Sequence, residues 1–480
     1  MATASPIPTF QALAAASGSH SPRQLLAHAD LLGSWRLEVR RALSDRHLVT
    51  VASELASAFG FDLSALEALG IPVDLLDCFP DWRRGSRVPF RPTRTGLTIA
   101  PAGAGVPLDT IRLQLSPTPG SVAHALHLLR DALVSFDPAT RFVVIVEPGA
   151  DLDALARLVD RFSRGGRSRV RFVPMACATV FAQDNALATR DAQGRPVLLV
   201  PRAFRAGESR AEDALDPDEA ERALGLPVRR SRLYWEGGNI VHDVTSSFVG
   251  VDTLAENAAR LGLVAGETMA ILRAELGVPI AALGRLEQSS FDPIGHRSVS
   301  SGQASFHVDL DVALLGRFGR ARRPRALVAD AARGLDFVDD VLAKRWRVEG
   351  HFLPARDIRR HVRAEYDACA SARHPLLLEY AATLEKHGYS VTGVPDLRID
   401  TRMDVFRRVN LDFGFCNVIP GLRGKRPAVY HFVSGVRRLD ADAAARMRLA
   451  GVEPVAVSNA DVASALMLLQ GGLHCCCGSL

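Results

Sequence analysis

The sequence has 480 residues, of which 48% are hydrophobic and 23% charged, and its formal net charge at pH 7 is +5. This composition supports a large buried core and excludes a chain that is disordered throughout. It contains no run of about 18 apolar residues, so we predict no membrane-spanning helix and no membrane partner.

Nucleic-acid binding is also not expected. The basic residues are nearly all arginines, and they are scattered among acids rather than gathered in a run interleaved with aromatic residues. The isolated cysteines Cys78, Cys177, Cys369 and Cys416 show no disulfide-scaffold spacing, and MATASPIPTFQALAAASG lacks the features of a signal peptide. We therefore expect a reducing, cytoplasmic location.

Two regions are predicted along the chain. Residues 1–85 carry apolar residues at helical spacing, for example in SPRQLLAHADLLGSW, and are predicted to form a helical N-terminal region. The Arg-, Pro- and Gly-rich stretch DWRRGSRVPFRPTRTG reads as a connector. Residues 86–480 are predicted to form an α/β domain.

Strand and helix patterns alternate in that second region. TIRLQLS, RFVVIVEP and RVRFVPMA are strand candidates, and VAHALHLLRDALVSF and DLDALARLVDRFSRG are helix candidates between them. SSFVGVD, TLAENAARLGL and GETMAILRAELG continue the alternation, as do PAVYHFVSG, DADAAARMRLAG and VEPVAVS near the end. Such alternation predicts an α/β architecture.

Residues 318–385 interrupt this rhythm. GRFGRARRPRA, FVDDVLAKRW and the long stretch from IRRHVRAEYD to TLEKHG are mostly charged, with helical spacing. We therefore predict a helical insertion near 318–385.

The common cofactor motifs are missing. We find no GxxxxGK[ST] loop, no GxGxxG between a strand and a helix, no HExxH and no paired CxxC. The sequence therefore predicts no cofactor and no metal ion.

Four stretches place polar residues within or beside apolar runs, where they are costly unless they are paired or used. They are FAQDNALATR, YWEGGNIVHD, SFHVDLDVALLG and the final GGLHCCC. Each alone has a structural explanation, such as a turn, a cap or a hydrogen-bonded pair. His307 and Asp309 are two residues apart in a predicted strand, so they are expected to face the same side.

Taken in order, an acid, EGGN, FHVD and GGLHC, the four stretches resemble the motifs of the guanidino-group-modifying enzyme (pentein) superfamily. That superfamily includes agmatine deiminase, arginine deiminase, peptidylarginine deiminase and the amidinotransferases. The resemblance covers about residues 170–480, and the units from about residue 95 could complete the fold. It implies a five-bladed, pseudo-symmetric α/β propeller with its site on the central axis, here with a helical N-terminal appendage.

The resemblance also implies roles for individual residues. Cys475 matches the nucleophile, His307 the general acid and base, and Glu236 the carboxylate that orients the histidine. Asp184 and Asp309 match the two carboxylates that grip the guanidinium nitrogens. These five positions predict a catalytic site without a metal.

Two further residues are expected at the substrate, namely Asn239 of EGGN and Gly472, where the backbone turns closely. The variant FAQD, where agmatine deiminases usually have Trp-x-Arg-Asp, is closer to the peptidylarginine deiminases. The EGGN stretch looks more like agmatine deiminase. The sequence therefore leaves the guanidino substrate open.

The implied reaction suits these residue types. A guanidinium is a planar cation that hardly deprotonates, so two carboxylates can hold it while a thiolate attacks its carbon. The predicted activity is hydrolytic deimination to a ureido product and ammonia through a covalent thiouronium. The substrate is protein or peptide arginine, agmatine or another small arginine relative. An amidinotransferase with the same site, or a non-catalytic guanidinium-binding protein, are the alternatives, and the oligomeric state is open.

The tail itself has other readings. CGSL formally fits a prenylation box, and His474 with the three cysteines offers metal-ligand types at poor spacing. If the tail is extended, Cys476 points away from Cys475, and Cys477 shares its face and could form a disulfide with it under oxidation. The simplest expectation for Cys476 and Cys477 is that they are small buried or semi-exposed hydrophobic residues.

Overall fold

The computed structural model describes residues 95–480 except for 117–120, 164, 176, 178, 203–214, 216, 293–296, 301, 344–346, 349–350, 353–354, 405–406 and 459–471. The predicted helical region 1–85 lies outside the described residues and stays a prediction. Within the described ranges, no helix is long and apolar enough to cross a membrane.

The described chain is a mixed α/β structure, as the alternation of patterns predicts. The strands are β1 (Thr98–Ile99), β2 (Thr110–Leu115), β3 (Arg141–Val146), β4 (Val170–Pro174), β5 (Leu187–Arg190), β6 (Pro196–Val200), β7 (Val228–Arg230), β8 (Ile240–His242), β9 (Ser247–Gly250), β10 (Ile280–Leu283), β11 (Ser289–Asp292), β12 (Arg297–Ser300), β13 (Val312–Gly316), β14 (Arg325–Asp330), β15 (Arg347–Val348), β16 (His351–Phe352), β17 (Ser390–Asp404), β18 (Arg407–Gly414), β19 (Ile419–Arg423), β20 (Arg426–His431), β21 (Glu453–Ala456) and β22 (Gly478–Ser479). The helices are α1 (Ser121–Ser135), α2 (Leu152–Phe162), α3 (Pro217–Leu224), α4 (Val251–Leu261), α5 (Ala265–Leu276), α6 (Ala331–Leu335), α7 (Val338–Ala343), α8 (Ala355–Lys386), α9 (Arg437–Leu449) and α10 (Leu473–Cys476).

Local sequence explains why these elements form. The apolar run of β3 lies between β2 and β4, and five of its six residues are buried, as is usual for a parallel strand covered on both faces. Helix α2 begins where the Asp151 side chain accepts a hydrogen bond from the Ala154 backbone, and it buries Leu155 and Val159. Helix α4 ends at Gly262 in the left-handed conformation, with φ of 64°.

Five sheets of three or four strands share one order of connections. In four of them, a first strand pairs antiparallel with the next, which pairs parallel with a later strand across at least one helix: β5–β6–β7, β8–β9–β10, β13–β14–β17 and β19–β20–β21. The fifth combines the two ends of the described chain, because β22 pairs antiparallel with β2, which pairs parallel with β3. Parallel neighbours need such a crossover, whereas antiparallel ones need only a turn.

The strands that begin these five series of connections, β5, β8, β13, β19 and β22, are called the inner strands below. All five contribute to the wall of one cavity of about 280 Å³. Leu187, Val241, Leu314, Ile419 and Ser479 are examples, one from each strand. The inner strands therefore meet around a common centre, and the turns that lead into them meet near it too.

The interval 318–385, where a helical insertion is predicted, contains strands as well as helices. Its Arg- and Pro-rich opening is irregular, and residues 325–330 form β14, which pairs with β13 and β17 inside a four-stranded sheet. The short run ALVA is buried there, and a buried apolar run of this length fits a strand as well as a helix. The helices α6, α7 and α8 follow it, and α8 continues through Pro375.

Candidate active site

The predicted site residues lie in the turns that lead into the inner strands. Asp184 precedes β5, Glu236 precedes β8, His307 and Asp309 precede β13, and Cys475 precedes β22. Because the inner strands meet around one centre, residues separated by almost 300 positions in the sequence come together there. All five are at most 8% exposed.

His307 and Asp309 are not in a strand, contrary to the sequence prediction. They belong to a single 3₁₀ turn, Val308–Leu310, and His307 is its N-cap. Both side chains nevertheless face Cys475, because ligand atoms of His307, Asp309 and Cys475 lie within 4.8 Å of one another. Imidazole, carboxylate and thiolate are also donor types of metal sites, so these three described residues could hold an ion together. The absence of a metal stays a prediction.

The His307 imidazole lies between two carboxylates. Its Nε2 is hydrogen-bonded to Glu236 Oε2, and its Nδ1 lies 3.7 Å from Asp184 Oδ1. Burial opposes protonation, but the charges of Asp184 and Glu236 outweigh it and raise the pKa of His307 above its ordinary value. The Nδ1 atom has no hydrogen-bond partner among the described residues.

The two glycines of EGGN allow this packing. A Cβ on Gly238 would lie 2.5 Å from His307 Nδ1, and one on Gly237 would lie 2.0 Å from the Gln183 carbonyl oxygen. The Gly238 backbone also donates a hydrogen bond of 3.3 Å to Asp184 Oδ1. Any larger residue at either position would separate the EGGN turn from the turns that carry Asp184 and His307.

Asn239 makes contacts within the protein. Its Oδ1 accepts hydrogen bonds from Gln303 Nε2 at 2.9 Å and from the Val308 backbone at 3.3 Å. These bonds hold the turn that carries His307. The expected contact of Asn239 with a substrate stays a prediction.

Asp309 is bound on one oxygen only. Its Oδ2 lies 2.7 Å from His474 Nδ1 and 3.7 Å from Cys475 Sγ. Its Oδ1 is buried and has no hydrogen-bond partner in the described part of the chain. Sequence reasoning gave His474 no role, although it directly precedes the cysteine.

The end of the tail is helical rather than extended. Leu473–Cys476 form one helical turn, and the Cys475 carbonyl accepts a hydrogen bond of 3.0 Å from the Gln183 backbone. Cys476 and Cys477 are buried in the main hydrophobic core, as the simplest expectation predicts. The described thiols of Cys177, Cys416, Cys475, Cys476 and Cys477 are all free.

Cys475 lies in surroundings that disfavour a thiolate. Burial and the charges of Asp309 and Asp184 raise the pKa of the Cys475 thiol well above its ordinary value. A hydrogen bond from the Gly472 backbone acts in the opposite direction. In the free protein, the thiol is therefore mostly protonated at neutral pH.

Asn417 is a contact of the cysteine that sequence reasoning missed. Its Nδ2 lies 3.1 Å from Cys475 Sγ, and its Oδ1 accepts a hydrogen bond of 3.2 Å from the Cys475 backbone. A Cβ on Gly472 would lie 2.4 Å from Asn417 Oδ1, so the glycine makes room for the carboxamide. The available signal was a polar residue in the apolar stretch FCNVIP, directly before a strand. Gly471 lies outside the described residues.

The cavity that the inner strands line adjoins the site. Gln183, Asp309 and His474 form part of its wall, so it adjoins the site on the side of Asp309. His242 also lines it, and burial lowers the pKa of His242 to about 4, with a smaller contribution from His474. His242 is therefore neutral at physiological pH.

A second buried charge group supports the turn of His307. Arg373 of α8 lies 2.8 Å from Asp311 and 2.6 Å from Asp396, and Arg398 lies 3.2 Å from Asp311. These four residues are called the arginine cluster below. Arg373 also donates a hydrogen bond of 2.9 Å to the Ala304 carbonyl oxygen, so the cluster fixes both ends of the turn.

Comparison with known proteins confirms the resemblance at the level of the fold. The X-ray structure of a protein assigned as an agmatine deiminase has a TM-score of 0.52 and 13% identity, covering 81% of this chain and 98% of the other. C. jejuni agmatine deiminase has a TM-score of 0.48 and 15% identity, covering 82% of this chain and 98% of the other. DDAH from Pseudomonas aeruginosa has a TM-score of 0.39 and 12% identity, covering 78% of this chain and 100% of the other. No protein-family model and no curated protein matches the sequence.

Proposed function

We propose that this chain is a hydrolase that deiminates a guanidino group, using Cys475 as a nucleophile. The observation that carries the proposal is the buried group formed by Cys475, His307, Asp184, Glu236 and Asp309. Three carboxylates face two imidazoles, those of His307 and His474, and one thiol there, which leaves a surplus of negative charge even when both imidazoles are protonated. A buried surplus of this kind calls for a cation. The fold shared with a protein assigned as an agmatine deiminase supports the same reading.

The substrate cation is held by carboxylates in this proposal. Asp184 and Asp309 bind the nitrogens of a planar guanidinium, and Asp309 Oδ1 is a buried acceptor that has no hydrogen-bond partner among the described residues. The pairing neutralises the cation, which makes its burial tolerable. His474 is already bonded to the other oxygen of Asp309 and so keeps this carboxylate in place.

Binding of the cation also activates the nucleophile. The carboxylate charges that raise the pKa of Cys475 are offset once a guanidinium lies between them, so the thiol loses its proton to solvent more readily. The protonated His307 is kept charged by Asp184 and Glu236. The site therefore holds a thiolate and an imidazolium together only when substrate is present.

The reaction then proceeds in two halves. The Cys475 thiolate forms a C–S bond to the guanidinium carbon, His307 gives a proton to a terminal nitrogen, and the C–N bond breaks to release ammonia. The neutral His307 next takes a proton from a water molecule, and the oxygen of that water attacks the thiouronium carbon. The C–S bond breaks, the thiolate is restored, and the protonated ureido group releases its extra proton to solvent as the neutral product leaves.

The proposed residues act on the guanidino group of the substrate and do not identify the rest of the substrate molecule. Protein or peptide arginine, agmatine and other small arginine relatives all present the same group. Amidino transfer would use the same residues with an amine in place of water. The experiment below separates these readings.

We also infer that the five larger sheets are the blades of a five-bladed α/β propeller. Their shared order of connections supports this, and so does the cavity that all five inner strands line. The helices α6 to α8 then form an insertion within the blade that contains β13, β14 and β17.

The test is an ammonia-release assay with agmatine, free arginine and an arginine peptide in parallel, with EDTA present and with and without an amine acceptor. We expect release from at least one substrate, and a loss of roughly 10⁴-fold or more in Cys475→Ala. Cys476→Ala is the matched control, because Cys476 lies in the core and should leave activity in place. Full activity in Cys475→Ala would overturn the nucleophile assignment. Binding without turnover would favour a guanidinium-binding protein, and product formed only with the acceptor would favour transfer.

A further inference from the structure

We propose that Asn417 is a catalytic residue whose carboxamide N–H donates a hydrogen bond to the Cys475 thiolate. The inference rests on the proposed function and deepens it by adding a group that touches the reacting sulfur. Asn417 Nδ2 lies 3.1 Å from Cys475 Sγ, and both residues are buried.

The orientation of the carboxamide is fixed by its surroundings. The backbone N–H of Cys475 can only donate, so the atom that it meets at 3.2 Å must be the amide oxygen. The amide nitrogen of Asn417 is then the atom directed at sulfur. The absence of a Cβ at Gly472 leaves the space that this arrangement needs.

A neutral donor suits this position better than a charged one. The sulfur already lies near Asp309 and Asp184, which disfavour its ionisation, while the site must also accept a cationic substrate. A lysine or arginine beside the sulfur would stabilise the thiolate but repel the guanidinium. An amide stabilises the thiolate by a hydrogen bond and adds no net charge.

The position of Asn417 in the fold fits this role. It lies in the turn that leads into β19, the one inner strand whose turn received no predicted residue. The turn is tight, because the Val418 backbone donates a hydrogen bond of 2.8 Å to the Cys416 carbonyl oxygen. Each of the five turns then contributes a group that lies at or beside the sulfur and the imidazole.

The hydrogen bond should act twice in the reaction. A thiolate accepts a hydrogen bond more strongly than the thioether-like sulfur of a covalent adduct. Asn417 therefore favours formation of the nucleophile before attack and departure of the sulfur at the end. It should have little effect on substrate affinity, because its described contacts are with Cys475.

The first measurement is the rate of Cys475 alkylation by iodoacetamide as a function of pH, read by mass spectrometry of the Cys475 peptide. Asn417→Asp keeps the shape but replaces the donor by an anion. We expect its alkylation profile to shift to higher pH, with a rate lowered about 10- to 100-fold at about pH 8. Asn257→Asp is the matched control, since that buried amide contacts the Tyr234 backbone instead, and its profile should be unchanged.

The second measurement is turnover. Asn417→Asp and Asn417→Ser should lower kcat about 10- to 100-fold and leave KM nearly unchanged. If Asn417→Asp does not fold, Asn417→Ser supplies both measurements. An unchanged alkylation profile in folded Asn417 variants would overturn the inference. A shifted profile in a protein without any turnover would retain the hydrogen bond and reject the proposed function.

Discussion

Asp309 and Asp311 are two residues apart on one turn, yet they belong to buried charge groups of opposite design. Asp311 belongs to the arginine cluster, where two arginines face two aspartates and the formal charges balance. Asp309, Asp184 and Glu236 face two imidazoles, those of His307 and His474, and one thiol, so negative charge is in excess among these groups.

The contrast separates structural from functional charge. A balanced buried group needs nothing further, and breaking it leaves an uncompensated charge inside the protein. An unbalanced group stores repulsion that a ligand of opposite charge can relieve. The same turn therefore carries a support on one side and a candidate binding site on the other.

Removing an arginine from the balanced group should cost stability. Arg373→Met leaves Asp311 and Asp396 without a main partner, so we expect a loss of about 3–5 kcal/mol in the free energy of unfolding. Urea or thermal unfolding measures it. Arg285→Met is the control, since that arginine pairs with Glu379 at the surface, and its effect should be much smaller. Equal losses in the two variants would contradict the role of the cluster.

Removing a carboxylate from the unbalanced group should cost activity instead. Asp309→Asn is expected to lower kcat/KM about 10²- to 10³-fold by weakening a buried ion pair with the substrate. Its unfolding free energy should be unchanged or higher, because one of three like charges is gone. Asp311→Asn, the same change two residues away, should destabilise the protein. A stability loss in Asp309→Asn that matches that of Asp311→Asn would remove the distinction.

Displacing the imidazole should have a smaller effect. Gly238→Ala introduces a Cβ 2.5 Å from His307 Nδ1, so His307 must shift, and we expect about a 10- to 100-fold loss of kcat. Gly266→Ala is the control, because a Cβ there meets nothing within 4 Å and alanine favours the helix. Activity equal to wild type in Gly238→Ala would show that the close approach is not needed.

The two groups should also differ in their response to pH. The pKa of His307 is raised in the folded state, so its contribution is fully present below the unfolded value near 6.5 and is lost as pH rises through the raised value. We therefore expect stability to decline above about pH 6.5, and the decline to shrink in His307→Gln. The arginines stay charged over this range. An identical pH profile in wild type and His307→Gln would contradict the assignment.

Much of the fold was accessible from local patterns. The run RFVVIVEP predicts β3, because a strand buried on both faces is a continuous apolar stretch. The run DLDALARLVDRFSRG predicts α2, because a helix buried along one stripe has apolar residues three or four positions apart. The strand β14 was not predicted within the interval 318–385, because a short apolar run after arginines fits a strand or a helix. His307 and Asp309 were assigned to a strand because a 3₁₀ turn leaves no comparable spacing.

The site was accessible mainly through motif order. The resemblance of the four motifs to a known superfamily pointed to five residues, and the structure brings them together: Asp184, Glu236, His307, Asp309 and Cys475. The role of that grouping remains a proposal. Asn417 left only the weak signal of a polar residue in an apolar stretch, because its partner Cys475 is 58 positions away. The arginine cluster left no local signal, because Arg373 pairs with aspartates 62 and 23 positions away.

The pairing of β22 with β2 has a consequence for local unfolding. Gly478 and Ser479 align with Arg112 and Ile111, and the Leu480 backbone donates a hydrogen bond of 3.1 Å to the Thr110 carbonyl oxygen. A two-residue strand has the fewest paired residues in its sheet, so it should open before the neighbouring strands do. Each such excursion would carry the adjacent sulfur away from the imidazole. Hydrogen exchange at the Leu480 amide would thus report how often the sulfur and the imidazole separate without global unfolding.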